Sequence, residues 1–222
     1  MNLDRFESLI GTRKLNDIKK LKIVIVGIGG VGGYTLLSLV RSGVENITII
    51  DKDKIDITNL NRQIITDSEN IGLFKVDEGV KYAKKINPLI NIVGIKEFIS
   101  EDNVSMLKGY DYIIDACDTV SAKISIIKFA ISNNIKVISC MGTAKKIDAT
   151  KLCVSYLDKT KYCPLAKKIR RELTKDEQKK VKVIYSEEII NKSSEILGST
   201  SYVPGVAGLL ITGEVIKDIV RE

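Results

Sequence analysis

The 222-residue sequence predicts an α/β fold: a doubly wound, mostly parallel sheet, extended by antiparallel strands in the C-terminal third. Three observations predict it. A β-branched apolar run over 23–26 is too short for a helix and is followed at once by Gly27, Gly29, Gly30, Gly32 and Gly33. Strand-length apolar runs and helical spacings then alternate as far as Met141. From Gly142 that alternation gives way to short runs at hairpin spacing.

Taken in order, residues 3–20 read as an amphipathic segment, with Arg5, Phe6, Leu9 and Ile10 at helical spacing and Gly11 interrupting it. Strand 23–26 leads into the glycines, whose missing side chains let backbone turn sharply and approach a phosphate. Helix 34–41 carries Leu36, Leu37 and Val40 on one side and closes at Ser42-Gly43. Strand 47–50 delivers Asp51 at its carboxyl end, where an acidic residue accepts from a ribose hydroxyl. This is a Rossmann-like βαβ nucleotide site. A long polar loop over 52–72 follows, then helix 73–86, with Val76, Val80 and Ala83 inward, stopped by Asn87-Pro88. Strand 90–98, a short helix 100–108 capped by Ser100, strand 112–116, helix 120–132 and strand 135–141 complete the second wound half. Beyond Gly142, runs 143–147 and 151–157 read as a hairpin, Pro164 starts a basic helix to Leu173, and 181–185 is a late strand. A polar loop then leads to a closing helix over 206–220.

Composition narrows the chemistry. Hydrophobic residues make up 44% and charged residues 28%, ordinary for a globular chain of this length. No apolar run approaches the roughly 20 residues of a membrane span, and the N-terminus lacks an apolar signal core, so a cytoplasmic protein is expected. With no histidine, a Ser-His-Asp or Cys-His centre and any histidine-ligated metal are excluded. The four cysteines form no C-x-x-C pair, which argues against structural zinc. Cys117, Cys140 and Cys153 lie on or beside apolar strands and read as small buried hydrophobes, whereas Cys163 precedes Pro164 at a helix start, where a thiolate is favoured. Net charge +7 suits an anionic partner such as RNA or a nucleotide, or equally a plain lysine-rich surface.

A glycine motif alone is shared with nicotinamide and flavin enzymes, and three further features point elsewhere. Asn59-Leu60-Asn61-Arg62-Gln63 places a planar guanidinium among amides, suited to a triphosphate; the alternative is a solvated loop arginine. Lys75 opens a helix, where the dipole prefers anions, so its ammonium makes more sense beside a phosphate than as a solvated lysine. Asp118 ends the fourth parallel strand, placed either to hold Mg²⁺ against phosphates or to cap the next helix.

Together GIGGVGG, IID, NLNRQ, GLFK and DACD resemble the ubiquitin-activating-like adenylyltransferases, which bind ATP-Mg²⁺ and adenylate a carboxylate. The resemblance implies one ThiF-like adenylation domain over 1–222, with Gly27, Gly29, Gly30 and Gly32 at the phosphates and Asp51 on the ribose. It puts Asn59, Arg62, Gln63 and Lys75 on the triphosphate, makes Asp118 the magnesium carboxylate, and brings Arg5 from a partner subunit of a homodimer. Within that group the chain looks most like the tRNA threonylcarbamoyladenosine dehydratases. RFESLIG, SGVENITIIDKDKIDITNLNRQI, ISCMGTAKKIDATKL, DKTKYCPLAKKIRREL and SYVPGVAGLLITGEVI carry this likeness over nearly the whole chain. It implies an ATP-dependent cyclisation of threonylcarbamoyladenosine beside the tRNA anticodon, through an acyl-adenylate. Two departures stand out: Cys163 replaces an expected acidic residue, and the stretch between Ser186 and Pro204 is short.

Lys167, Lys168, Arg170 and Arg171 lie in the most basic stretch and are the candidate tRNA contacts; a solvated lysine-rich helix is the alternative. A sulfur-relay protein partner is left open. The rival activity is adenylation of a ubiquitin-like sulfur carrier, which shares the ATP site but commonly carries the C-x-x-C pairs missing here. A nicotinamide oxidoreductase leaves NLNRQ, GLFK and DACD without a use.

Overall fold

The computed structural model describes residues 1–189 and 198–221; part of the short stretch between Ser186 and Pro204 lies outside the described residues. One seven-stranded sheet runs β3-β2-β1-β4-β5-β7-β6. Its strands are β1 (Lys22–Val26), β2 (Asn46–Ile50), β3 (Asn91–Ile95), β4 (Tyr112–Asp115), β5 (Lys136–Cys140), β6 (Leu152–Tyr156) and β7 (Lys182–Ser186). All neighbours pair parallel except β6, which runs antiparallel to β7, Leu152 opposite Ser186 and Tyr156 opposite Lys182.

The helices are α1 (Asp4–Ile10), α2 (Thr12–Lys20), α3 (Gly32–Arg41), α4 (Lys75–Ile86), α5 (Val120–Ser132), α6 (Pro164–Arg171), α7 (Lys175–Gln178) and α8 (Val203–Val220). Strand alternation sends β1 side chains to two cores, as expected of a sheet covered on both faces. Ile23 and Ile25 pack with Ile18 of α2, Leu36 of α3, Val76 of α4 and Ile211 of α8. Val24 and Val26 pack with Ile126 of α5 and Ile169 of α6 on the opposite face.

Three expected elements take other forms. The 100–108 helix is a 3₁₀ turn, Val104–Leu107, and Ser100 does not cap it: its N–H donates 2.8 Å to Asn103 Oδ1. Residues 143–147 form no strand. The Ile147 and Asp148 amides donate to the Glu188 carboxylate, at 3.1 and 2.9 Å, and the Tyr202 hydroxyl donates to the Ile147 carbonyl. These side-chain bonds satisfy the loop, so the antiparallel partner of β6 is β7 and not its own predecessor. The third is α4, which begins at Lys75, because Gly72 sits at φ +87° and the turn before it bridges Lys54 to Phe74.

Helices α3 and α8 approach closely enough that a Cβ on Gly208 would lie 2.5 Å from the Val31 carbonyl oxygen, and Thr35 Oγ1 donates 3.1 Å to the Gly208 carbonyl. Gly213, on the exposed side of the same helix, has open space around it. Thermal melts should separate the two: Gly208→Ala loses about 1–3 kcal/mol through overpacking, whereas Gly213→Ala gains about 0.5–1 kcal/mol of helix propensity.

Candidate active site

The strand order reverses at β1, which has β2 on one side and β4 on the other. Ligands of open α/β sheets sit outside the carboxyl ends of the strands at such a point. Two cavities open there. Gly27, Gly29, Asp51, Phe98, Ile99 and Thr119 line the smaller. The larger, about 890 Å³, is lined by Gly30, Arg62, Met141, Leu165, Lys168 and Pro204 among others. Ala116, Cys117 and Asp118 line both, so the end of β4 is the wall they share.

The glycine turn is shaped by backbone contact. Gly27 has φ +91°, and a Cβ there would lie 2.8 Å from Ala116 O and Cys117 N. A Cβ on Gly32 would lie 1.9 Å from Gly27 O. The turn leads into α3, whose N-terminus carries no side-chain cap and no acidic residue in its first turn. Gly30 and Val31, at that uncapped helix start, line the larger cavity, and the positive end of a helix dipole favours an anion.

Asp51 is held by two backbone amides, Ile28 N–H at 2.7 Å to Oδ2 and Asp53 N–H at 2.9 Å to Oδ1. Each oxygen keeps a lone pair for a further donor. Asp118 is exposed between the cavities, and the Thr119 hydroxyl donates to it at 3.4 Å. It is not the helix cap: Thr119 occupies that position in α5, without a side-chain cap bond. Among the described residues Arg62 meets no carboxylate; it donates 2.7 Å to the Thr58 carbonyl and 2.9 Å to Asn61 Oδ1.

Lys75, Asn59, Gln63 and Arg5 line neither cavity. Lys75 is buried, and its Nζ bonds Asp53 Oδ2 at 2.9 Å, at the rim of the smaller cavity. Asn59 is buried in a capping box, its Oδ1 accepting from Asp56 N–H at 3.1 Å. Gln63 lies beside the glycine turn, its Nε2 3.8 Å from where a Gly29 Cβ would stand, and its buried Oε1 has no hydrogen-bond partner among the described residues. Arg5 sits exposed on α1, and its own chain's cavities do not include it. Among the basic residues, Lys167, Lys168 and Arg171 are exposed and Lys168 lines the larger cavity. Arg170 differs: it turns inward and donates 2.8 Å to the Thr160 carbonyl, fastening α6 to the turn before it.

The sequence did not flag what lies under this site. Lys123 and Asp115, both fully buried, form an ion pair at 3.0 Å. Asp115 also accepts from Ser139 Oγ at 2.5 Å and from Cys117 N–H at 3.2 Å, while Lys123 donates 2.7 Å to the Cys140 carbonyl. One buried cluster thus joins β4, β5, α5 and the turn that carries Asp118. Burial works against the Lys123 ammonium, but Asp115, with Cys117 and Cys140 nearby, outweighs it and raises its pKa. Burial, then Asp115, pushes the Cys117 thiol far up, and burial pushes Cys140 to about 12, so neither is a thiolate near neutral pH. A signal was available: Lys123 falls among Ala122, Ile126, Ile127 and Ala130 on the inward face of α5.

Residues 3–222 match the ThiF family. The chain belongs to that family. As a ThiF-family chain it is 35% identical to the tRNA threonylcarbamoyladenosine dehydratase of Bacillus subtilis, over 98% of this chain and 94% of the relative. The Escherichia coli protein of the same name is 38% identical over 76% of this chain and 63% of the relative. Its crystal structure in complex with ATP superposes with a TM-score of 0.93 at 30% identity, covering 99% of this chain and 93% of that one. The adenylyltransferase and sulfurtransferase UBA4 of Saccharomyces cerevisiae is 34% identical, but over 56% of this ThiF-family chain and 29% of its own length.

Removing one partner of the buried pair leaves the other charged and unpaired. Lys123→Met should lower unfolding free energy by about 3–5 kcal/mol in urea denaturation, and the double change Lys123→Met, Asp115→Leu should recover much of that loss.

Proposed function

We propose that this chain is an ATP-dependent tRNA threonylcarbamoyladenosine dehydratase, cyclising the modified adenosine beside the anticodon with net loss of water. The observation that carries the reading is the likeness to named dehydratases over 98% of the chain, against 56% for the sulfur-carrier adenylyltransferase. The geometry is in keeping with it: a small cavity with a ribose-type carboxylate meets a large, basic-edged one at a single exposed aspartate.

In this reading the threonyl carboxylate attacks the α-phosphorus of ATP, and pyrophosphate leaves. The carbamoyl group of the same nucleoside then attacks the activated carbonyl and closes the ring, expelling AMP. Proton transfer is secondary to charge stabilisation here, which accords with a chain free of histidine and with Cys117 and Cys140 held as thiols. The amides at the start of α3 and the Arg62 guanidinium receive phosphate oxygens. Lys75 shifts from Asp53 to a phosphate when the nucleotide arrives, and the Gln63 amide supports the turn from the side. Ring closure is intramolecular, so holding the nucleoside in place substitutes for a protein nucleophile.

Magnesium fits the residues present. No cluster of three or more acidic or cysteine side chains able to hold a metal occurs among the described residues. Mg²⁺ characteristically uses one or two carboxylates plus substrate phosphates, which matches Asp118 standing open between the cavities. Bound there, it would supply neutralisation of phosphate charge.

We also read the chain as one adenylation domain acting as a cytoplasmic homodimer, with Arg5 reaching the partner subunit's site. Among the described residues no helix is long and apolar enough to cross a membrane.

Supplied with ATP and tRNA bearing threonylcarbamoyladenosine, the protein should release AMP and leave a nucleoside lighter by one water. Lys75→Ala and Asp118→Ala should fold normally and lose roughly 10²–10³ in AMP formation, on the scale of a lost transition-state donor. Near-native turnover in either would remove that residue from the site. AMP formed only with a ubiquitin-like carrier protein would favour the rival activity.

A further inference from the structure

Beside the larger cavity lies an exposed ring that the proposed chemistry does not use. Tyr162 is 64% exposed and adopts φ +56°, a left-handed conformation that non-glycine residues occupy rarely. Burial does not account for a large aromatic there. Its neighbour Cys163 caps α6, accepting from the Ala166 amide, and the next two residues, Pro164 and Leu165, line the cavity. The ring is therefore tethered two residues from the cavity wall on a fixed helix start. Lys159, Lys161 and Lys167 are exposed around it, and Lys168 carries the positive charge into the cavity. Tyr202, also exposed, already uses its hydroxyl on the Ile147 carbonyl.

An exposed aromatic interleaved with lysines is the arrangement that recognises unpaired bases: the ring stacks on a base face while ammonium groups take the flanking phosphates. Protein interfaces instead deplete lysine. We propose that Tyr162 is a stacking platform for an unpaired base of the RNA substrate, next to the nucleoside that enters the larger cavity, with Lys161 and Lys167 on the adjoining phosphates. The proposal rests on the tRNA reading above and adds to it the residue that reads single-strandedness.

The chain contains no tryptophan, so Tyr162→Trp installs a single reporter in the full-length protein. A modified anticodon stem-loop should quench its emission, and a fully paired RNA of equal length should not. Tyr162→Ala should weaken stem-loop binding roughly tenfold, from the loss of one base stack, without changing the slope of affinity against salt. Tyr162→Phe keeps the ring and should bind like the parent. Lys161→Ala and Lys167→Ala should each reduce the salt slope by about 0.7. Stem-loop binding and AMP release by the parent, with unchanged affinity in Tyr162→Ala, would overturn this proposal alone. Failure of the parent to bind or turn over the stem-loop would overturn both it and the tRNA reading. Quenching by an acidic carrier protein, and not by RNA, would assign the surface to a protein partner.

Discussion

The site depends on two backbones that touch. At the carboxyl ends of neighbouring strands β1 and β4, Gly27 comes so near Ala116 and Cys117 that no side chain fits between them. That contact sets the distance from the glycine turn at the start of α3 to Asp118, which both cavities share. Hydrophobic packing alone tolerates repacking and does not specify such a distance closely. The buried Lys123–Asp115–Ser139 cluster does, because each member is satisfied only in one arrangement. It anchors the β4 turn from below while the glycines admit it from above. Rigid support of this kind is what a site relying on placement of charge needs.

Division of labour follows from the two cavities. The smaller is walled by Asp51 and by the Phe98–Ile99 stretch; the larger carries its positive charge at Arg62 and Lys168. A reaction joining a nucleotide phosphorus to a carboxylate on a large polyanion needs such a junction. Arg170, bound inward to Thr160, holds α6 in place, whereas Lys167, Lys168 and Arg171 of the same region stand exposed.

Much of this was legible in the sequence because it is local. The glycine turn, Asp51 and Asp118 follow from strand ends and spacing, and the alternation through Met141 yields the parallel half of the sheet. Residues 143–147 were not legible: their spacing about Asp148-Ala149-Thr150 looks like a hairpin, but Glu188, some forty positions on, takes the Ile147 and Asp148 amides. The pairing of Lys75 with Asp53 and of Lys123 with Asp115 was hidden for the same reason, since each joins residues that only the fold brings together. Asn59 shows the converse, a motif residue whose side chain is taken up by a local capping box.

The central claim is that ATP activates a carboxylate by transfer to its α-phosphorus. Labelling the threonyl carboxylate of the substrate tRNA with heavy oxygen and collecting the nucleotide product tests this directly. The account predicts one heavy oxygen in the phosphate of AMP and none in pyrophosphate. ADP as the product, with the label in inorganic phosphate, or unlabelled AMP, would contradict it.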